Sequence, residues 1–140
     1  QLLAVVADPL PVEIGCRQGP APADAQSLAR SIRSDPDLEA TEPVAVSVGG
    51  IEALRIDVVA ATGASVCEEG PAPQVVTPND HDWYGVFLGQ GKRMRLYLLD
   101  LPEGLSPRTL AIAISAPEPD FEHVMEAAKP IVDSIEFHAR

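Results

Sequence analysis

The chain has 140 residues, of which 46% are hydrophobic and only 4% aromatic, so it is long enough for one domain with an aliphatic core. Its 21 Asp and Glu residues outnumber 10 Lys and Arg residues, and the net charge of -11 argues against nucleic acid as a partner. No apolar run approaches the ~20 residues that a bilayer span requires. We therefore expect one globular domain over residues 1–140, cut or processed from a longer protein. It would meet a membrane only through an anchor upstream of Gln1.

The N-terminal region predicts strand structure. Residues 1–7 form an apolar run, and we expect Asp8, Pro9 and Pro11 to end it because proline cannot donate to a sheet ladder. Residues 12–16 indicate a short second strand, and the Gly and Pro content of residues 19–22 is typical of a loop.

The first helical pattern follows that loop. Four apolar residues share one helical face at the spacing i, i+3, i+4 and i+7: Ala25, Leu28, Ala29 and Ile32. Asp24 is suited to the N-cap, and Asp35, which precedes a proline, should end the helix.

A hairpin is the strongest local prediction. Residues 44–48 and 51–60 are rich in β-formers, and Gly49 and Gly50 between them can take the positive φ of a type I′ turn. Leu54, Ile56 and Val58 should share one face of the second strand. Arg55 and Asp57 should lie on the other face, as in a half-buried antiparallel strand.

Residues 62–82 are irregular, apart from a short strand predicted at Val75 and Val76. Residues 83–88 and 92–101 then predict a second hairpin around residues 89–91. The second of its strands becomes almost wholly apolar, which indicates a central position in a sheet. Its basic residues, Lys92, Arg93 and Arg95, could bind an anionic ligand. We favour the alternative that they form ion pairs with acidic neighbours across the sheet.

The C-terminal region predicts a strand over residues 109–115, in which the small Ala111 and Ala113 would let a helix approach closely. A second helix over residues 117–135 should be kinked or divided at Pro130. Its apolar stripe contains Phe121, Val124, Met125, Ala128, Ile131, Val132 and Ile135. Residues 135–138 could close the chain as an edge strand. These elements predict an α+β fold, with an antiparallel β-sheet of about six strands packed with two main helices.

The stretch RMRLYLLDLPEGLSPRTLAIAISA, followed by PEPDFEHVMEAAKPIVDSIEF, resembles the end of actinobacterial extracytoplasmic domains of unknown function. Those domains in turn resemble the PsbP-like, LpqN-type lipoprotein fold. The resemblance is clearest over the last third of the chain and rests on packing motifs. It implies a PsbP-like sandwich and a secreted or membrane-anchored location, and it transfers no functional residue.

Cys16 and Cys67 are the only cysteines in the chain. They are too few and too far apart for a zinc site or a CxxC motif. A disulfide between them is the preferred interpretation, because the start without methionine fits an exported protein, and two unrelated thiols are the alternative.

The most polar and aromatic cluster is a candidate recognition loop, made of Asp80, His81, Asp82, Trp83 and Tyr84. Metal binding there is disfavoured because successive side chains point in different directions. No catalytic motif stands out, and no cofactor is expected. We therefore expect a non-catalytic extracytoplasmic module that binds a protein or small molecule. The alternatives are a structural or sensor domain of a membrane-anchored protein, or a small hydrolase that uses carboxylates of residues 62–82.

Overall fold

The computed structural model describes residues 2–13, 17–64, 74–77, 86–104 and 108–138. Its strands are β1 (Leu2–Ala7), β2 (Leu10–Glu13), β3 (Arg17–Gln18), β4 (Leu38–Ala40), β5 (Val44–Val48), β6 (Ile51–Ala60), β7 (Gln74–Thr77), β8 (Val86–Phe87), β9 (Lys92–Asp100) and β10 (Thr109–Pro117). Its helices are α1 (Ala25–Ser34) and α2 (Phe121–Asp133), and a 3-10 turn, Glu118–Asp120, leads into α2. No helix in these ranges is both long and apolar enough to cross a membrane.

A six-stranded antiparallel sheet forms the centre of the molecule. Its strand order is β1-β10-β9-β6-β4, and β5 also pairs with β6. The predicted α+β class, with about six antiparallel strands and two main helices, is confirmed. The central position predicted for β9 is also confirmed, since β9 lies between β10 and β6.

The two faces of this sheet carry separate cores. On one face, α1 packs with a second, smaller sheet of order β3-β2-β7-β8, and this core includes Leu28, Ile32, Ile56, Val76, Leu96, Ala111 and Ala113. On the other face, Phe121 and Val132 of α2 pack over sheet residues that include Leu99, Leu110, Ile112 and Ile114. β10 is buried along eight of its nine residues because it is covered from both sides.

Two predictions about the small sheet are wrong. β8 pairs with β7 rather than forming a hairpin with β9, and the hairpin partner of β9 is β10. Pro11 lies inside β2 instead of ending a strand. The backbone of Pro11 faces the short edge strand β3, where a missing N–H costs little pairing. Its carbonyl still accepts a hydrogen bond from the Gly19 N–H at 2.7 Å.

The helix α1 has the predicted ends and the predicted buried face. The Asp24 carboxylate accepts a hydrogen bond from the Ser27 N–H at 2.8 Å, and this bond lowers the pKa of Asp24. Asp100 on β9 adds a second cap by accepting from the Ala25 N–H at 2.9 Å. The helix ends at Ser34, immediately before Asp35.

The helix α2 is not divided at Pro130 but continues to Asp133. Pro130 lacks an N–H and so removes one helical hydrogen bond, to the carbonyl four residues earlier, while α2 remains packed on the sheet. Ile131, predicted to lie in the buried stripe, is 54% exposed.

Residues 135–138 form no strand, so the predicted C-terminal edge strand is wrong. The chain instead passes over the β5–β6 turn, where Gly49 and Gly50 have φ values of 59° and 79°. A Cβ at Gly49 would lie 2.7 Å from the Ile135 carbonyl oxygen and 2.8 Å from the Phe137 ring. Phe137 packs against the α2-side core, which favours this path over strand pairing.

Candidate functional site

The side chains predicted from sequence as functional lie outside the described residues. They are Cys16, Cys67, Asp80, His81, Asp82, Trp83 and Tyr84. The disulfide and the recognition loop therefore stay predictions. The hydrolase alternative stays one too, since only residues 62–64 and 74–77 of its loop are described.

Both arginines of the basic cluster on β9 bind acidic side chains, and for Arg95 the partner lies across the sheet, as the sequence interpretation favoured. Arg95 binds Asp57, its register partner on β6, with Nε–Oδ1 and Nη2–Oδ2 distances of 2.8 and 3.0 Å. Arg93 donates to Glu118 at 3.1 Å. Both guanidinium carbons lie 5.3 Å from the centre of the Phe121 ring. These contacts account for both arginines without an anionic ligand.

A groove of about 560 Å³ lies beside α1 and is here called the serine–proline groove. From α1 it takes Ser27, Ser31 and Ser34, and from the residues after α1 it takes Asp35 and Pro36. From β2 and the loop after β3 it takes Pro11, Val12, Pro20, Ala21 and Pro22. Hydroxyl groups and apolar rings thus line the same groove.

The helical period explains the row of serines. Ser27, Ser31 and Ser34 stand at i, i+4 and i+7, so they share one face of α1 while Leu28 and Ile32 turn into the core. Ser31 and Ser34 are exposed. The Ser27 hydroxyl oxygen accepts a hydrogen bond from Arg30 at 3.2 Å, at the rim of the groove.

Asp35 is the only ionisable side chain in the described lining of this groove. Burial raises the pKa of Asp35 because it disfavours the charged carboxylate. The hydrogen bond that its Oδ1 accepts from the Asp37 N–H, at 2.8 Å, opposes this effect. The described lining of the groove therefore contains one ionisable group, and its other polar side chains are serine hydroxyls.

The side chains of the groove can bind a ligand through hydrogen bonds and apolar contact. A serine nucleophile needs an adjacent base, and the described lining offers neither histidine nor lysine to activate Ser27, Ser31 or Ser34. Within the described ranges, no group of three His, Cys, Asp or Glu side chains could hold a metal ion. Hydroxyl groups can instead both donate and accept hydrogen bonds to an uncharged ligand.

The sequence analysis did not predict the serine–proline groove, although two features of the sequence point to it. The serine spacing on the predicted helix and the prolines at 20, 22 and 36 could have indicated a mixed polar and apolar face. The approach of β2 to α1, which adds Pro11, depends on tertiary packing.

A comparison of the chain with protein-family models gives no match, and neither does a comparison with curated proteins.

Proposed function

We propose that this domain is a non-catalytic binding module that works outside the cytoplasm. Its serine–proline groove would hold an uncharged small molecule with an apolar body and a hydrogen-bonding edge. The observation that carries the proposal is the pairing of three aligned serine hydroxyls with proline rings in one open groove. Such a lining matches ligand sites, in which apolar surface provides contact and a few polar groups fix orientation.

Charge narrows the ligand class. The net charge of -11 and the carboxyl of Asp35 disfavour an anion, and Arg93 and Arg95 are engaged elsewhere. A cation would find a single carboxyl, that of Asp35, whereas three serine hydroxyls and several proline rings suit an uncharged ligand. Uncharged ligands with hydroxyl or amide groups remain the best match.

Binding can be tested by titrating labelled protein with two uncharged probes, trehalose and an acetylated alanine tripeptide amide, and following backbone amide shifts by NMR. We expect saturable shifts at Ser27, Ser31 and Ser34. Glutamate serves as the anionic control and should cause none. No saturable shift at these serines with either neutral probe would refute the proposed site.

A double variant, Ser31→Ala with Ser34→Ala, tests whether the hydroxyls bind the probe. Each neutral hydrogen bond contributes about 0.5–1.5 kcal/mol, so losing two should weaken binding by about 5-fold to about 150-fold. Ser47→Ala is the matched control, since Ser47 is exposed on β5 and lies outside the groove. Equal affinity in the double variant and the control would contradict the role of the hydroxyls.

The extracytoplasmic location is supported by the resemblance of the C-terminal third, and a disulfide between Cys16 and Cys67 would agree with it. A thiol assay on folded protein, with and without reductant, tests it. We expect thiol labelling only after reduction. Two reactive thiols in oxidised, folded protein would count against the disulfide and this location.

A further inference from the structure

β1 ends the main sheet, and no described strand pairs with its outer side. The Asp8 N–H donates to the Thr109 carbonyl at 2.8 Å, in the same register in which Val6 faces Ala111 and Ala4 faces Ala113. Hydrogen-bonded pairs alternate along an antiparallel ladder, so the even-numbered residues bond to β10. The backbone N–H and C=O groups of Leu3, Val5 and Ala7 therefore point outward from the sheet edge.

The same odd-numbered residues present apolar side chains to solvent. Leu3 is 53% exposed and Val5 is 57% exposed, whereas Ala4 and Val6 are buried against the α1-side core. Leu3 also lines an apolar groove of about 290 Å³ between β1 and α2, with Ile114, Val124 and Ile131. Ile131 is itself 54% exposed. The edge thus combines unpaired backbone with a continuous apolar surface.

The opposite edge of the sheet provides a comparison within the same molecule. It is formed by β4 and β5, which carry or adjoin the exposed Glu39 and Glu42 and are separated by Pro43. Charges and prolines of this kind protect sheet edges from pairing with other chains. The six residues of β1, LLAVVA, contain neither, and Asp8 and Pro9 lie beyond its C-terminal end.

We propose that β1 pairs with β1 of a second copy of this chain about a two-fold axis, joining the two main sheets into one. The hydrogen-bonded pairs would be Val5 with Val5 and, on either side of the axis, Leu3 with Ala7. All hydrogen-bonded pairs in this register join odd-numbered residues, and Ala4 faces Val6 between them, so every outward backbone group of Leu3, Val5 and Ala7 finds a partner.

The β1 edge is complementary to itself, which identifies a second copy of this chain as its partner. A covering strand must offer outward backbone groups and apolar side chains on the α2 face, and β1 itself has both. A two-fold axis perpendicular to the sheet keeps both α2 helices on the same face. Leu3, Val5 and Ile131 of each copy then lie along the seam, in the isologous arrangement most common among soluble oligomers.

The charge of the chain provides a signature for this dimer. Two copies of net charge -11 repel each other, and salt screens that repulsion without weakening an apolar seam. Dimerisation should therefore strengthen as the salt concentration rises. A foreign basic strand bound at the same edge would instead be released by salt.

Sedimentation equilibrium tests the proposal over protein concentrations from about 1 µM to about 1 mM, at about 0.15 M and about 1 M NaCl. We expect the wild-type mass to reach twice 14.8 kDa, at lower protein concentration in high salt. Val5→Lys should stay monomeric. Val44→Lys, at a residue 45% exposed on the opposite edge, should dimerise like wild type. A monomeric wild type throughout, or equal behaviour of the two variants, would overturn the proposal.

Hydrogen exchange on the wild type decides the matter if Val5→Lys does not fold. The amides of Ala4 and Val6 should exchange slowly at every protein concentration, because they bond to β10. The amides of Leu3, Val5 and Ala7 should become slow only as the protein concentration rises. Dimerisation with these three amides still exchanging rapidly would show that another surface is used.

Discussion

Replacing Asp57 with alanine tests how strongly the β6–β9 ion pair stabilises the fold. The Asp57 carboxylate binds the Arg95 guanidinium through two hydrogen bonds of 2.8 and 3.0 Å. These bonds raise the pKa of Arg95. Without Asp57 the arginine still stays charged, because a guanidinium group is not deprotonated at neutral pH. Asp57→Ala would therefore leave a cation in a largely enclosed position against the ring of Phe121.

The magnitude follows from the exposure of the pair. Its side chains are 16% and 18% exposed, which places it between surface pairs that contribute up to about 1 kcal/mol and fully buried pairs whose breakage costs about 3–5 kcal/mol. We expect Asp57→Ala to lower the free energy of unfolding by about 2–3 kcal/mol. Glu118→Ala is the control, since its pair with Arg93 is 35% and 47% exposed and should contribute at most about 1 kcal/mol.

Urea unfolding followed by circular dichroism measures both variants, and a double-mutant cycle isolates the pair. Arg95→Met in the Asp57→Ala background should recover part of the loss, because an apolar side chain is well suited to the surroundings of Phe121 and needs no carboxylate. A loss for Asp57→Ala no larger than that for Glu118→Ala would refute the reasoning. So would a coupling energy indistinguishable from zero.

Two further predictions concern the turn at Gly49 and the carboxyl of Asp35. Gly49→Ala should cost about 1–3 kcal/mol more than Gly50→Ala by urea unfolding, because both turn residues have positive φ but only a Cβ at Gly49 would meet Ile135 and Phe137. The pKa of Asp35 is higher in the folded state than its ordinary value of 3.8. At pH values between these two pKa values, the folded state therefore holds more of this proton than the unfolded state does. Its contribution to stability therefore falls as pH rises through that window, and Asp35→Asn should weaken the fall in stability measured from acid to neutral pH.

An equal loss of unfolding free energy in Gly49→Ala and Gly50→Ala would mean that the C-terminal segment does not pack closely against the turn. An unchanged pH profile for Asp35→Asn would mean that burial does not perturb this carboxyl. The net charge of -11 also lowers stability as pH rises, so only the difference between variant and wild type is informative.

Elements governed by local chemistry could be predicted from the sequence. The helix α1 was recognisable from the spacing of Leu28 and Ile32 and from the cap at Asp24, and its bounds are confirmed. The β5–β6 hairpin followed from two adjacent glycines, both of which adopt positive φ. In each case, the deciding interactions lie within a few residues of one another.

Elements whose partners are distant could not be assigned in this way. Val86 and Phe87 were recognised as strand, yet local alternation does not specify whether a strand joins β7 or β9. The three-residue β4 was missed because its pairing with β6 outweighs a weak local pattern. Ile131 fits the helical stripe but faces the gap beside Leu3, where no described element covers it.

The sequence by itself determined the α+β class, the apolar stripes and the row of serines at 27, 31 and 34, because periodicity and capping act through neighbouring residues. Only the tertiary structure decided that Pro11 joins those serines in one groove and that LLAVVA lies at a sheet edge rather than in its centre. An apolar strand has the same sequence pattern whether it lies at the edge or in the centre of a sheet. The order of strands is set by long-range burial and pairing, which no short segment of sequence encodes.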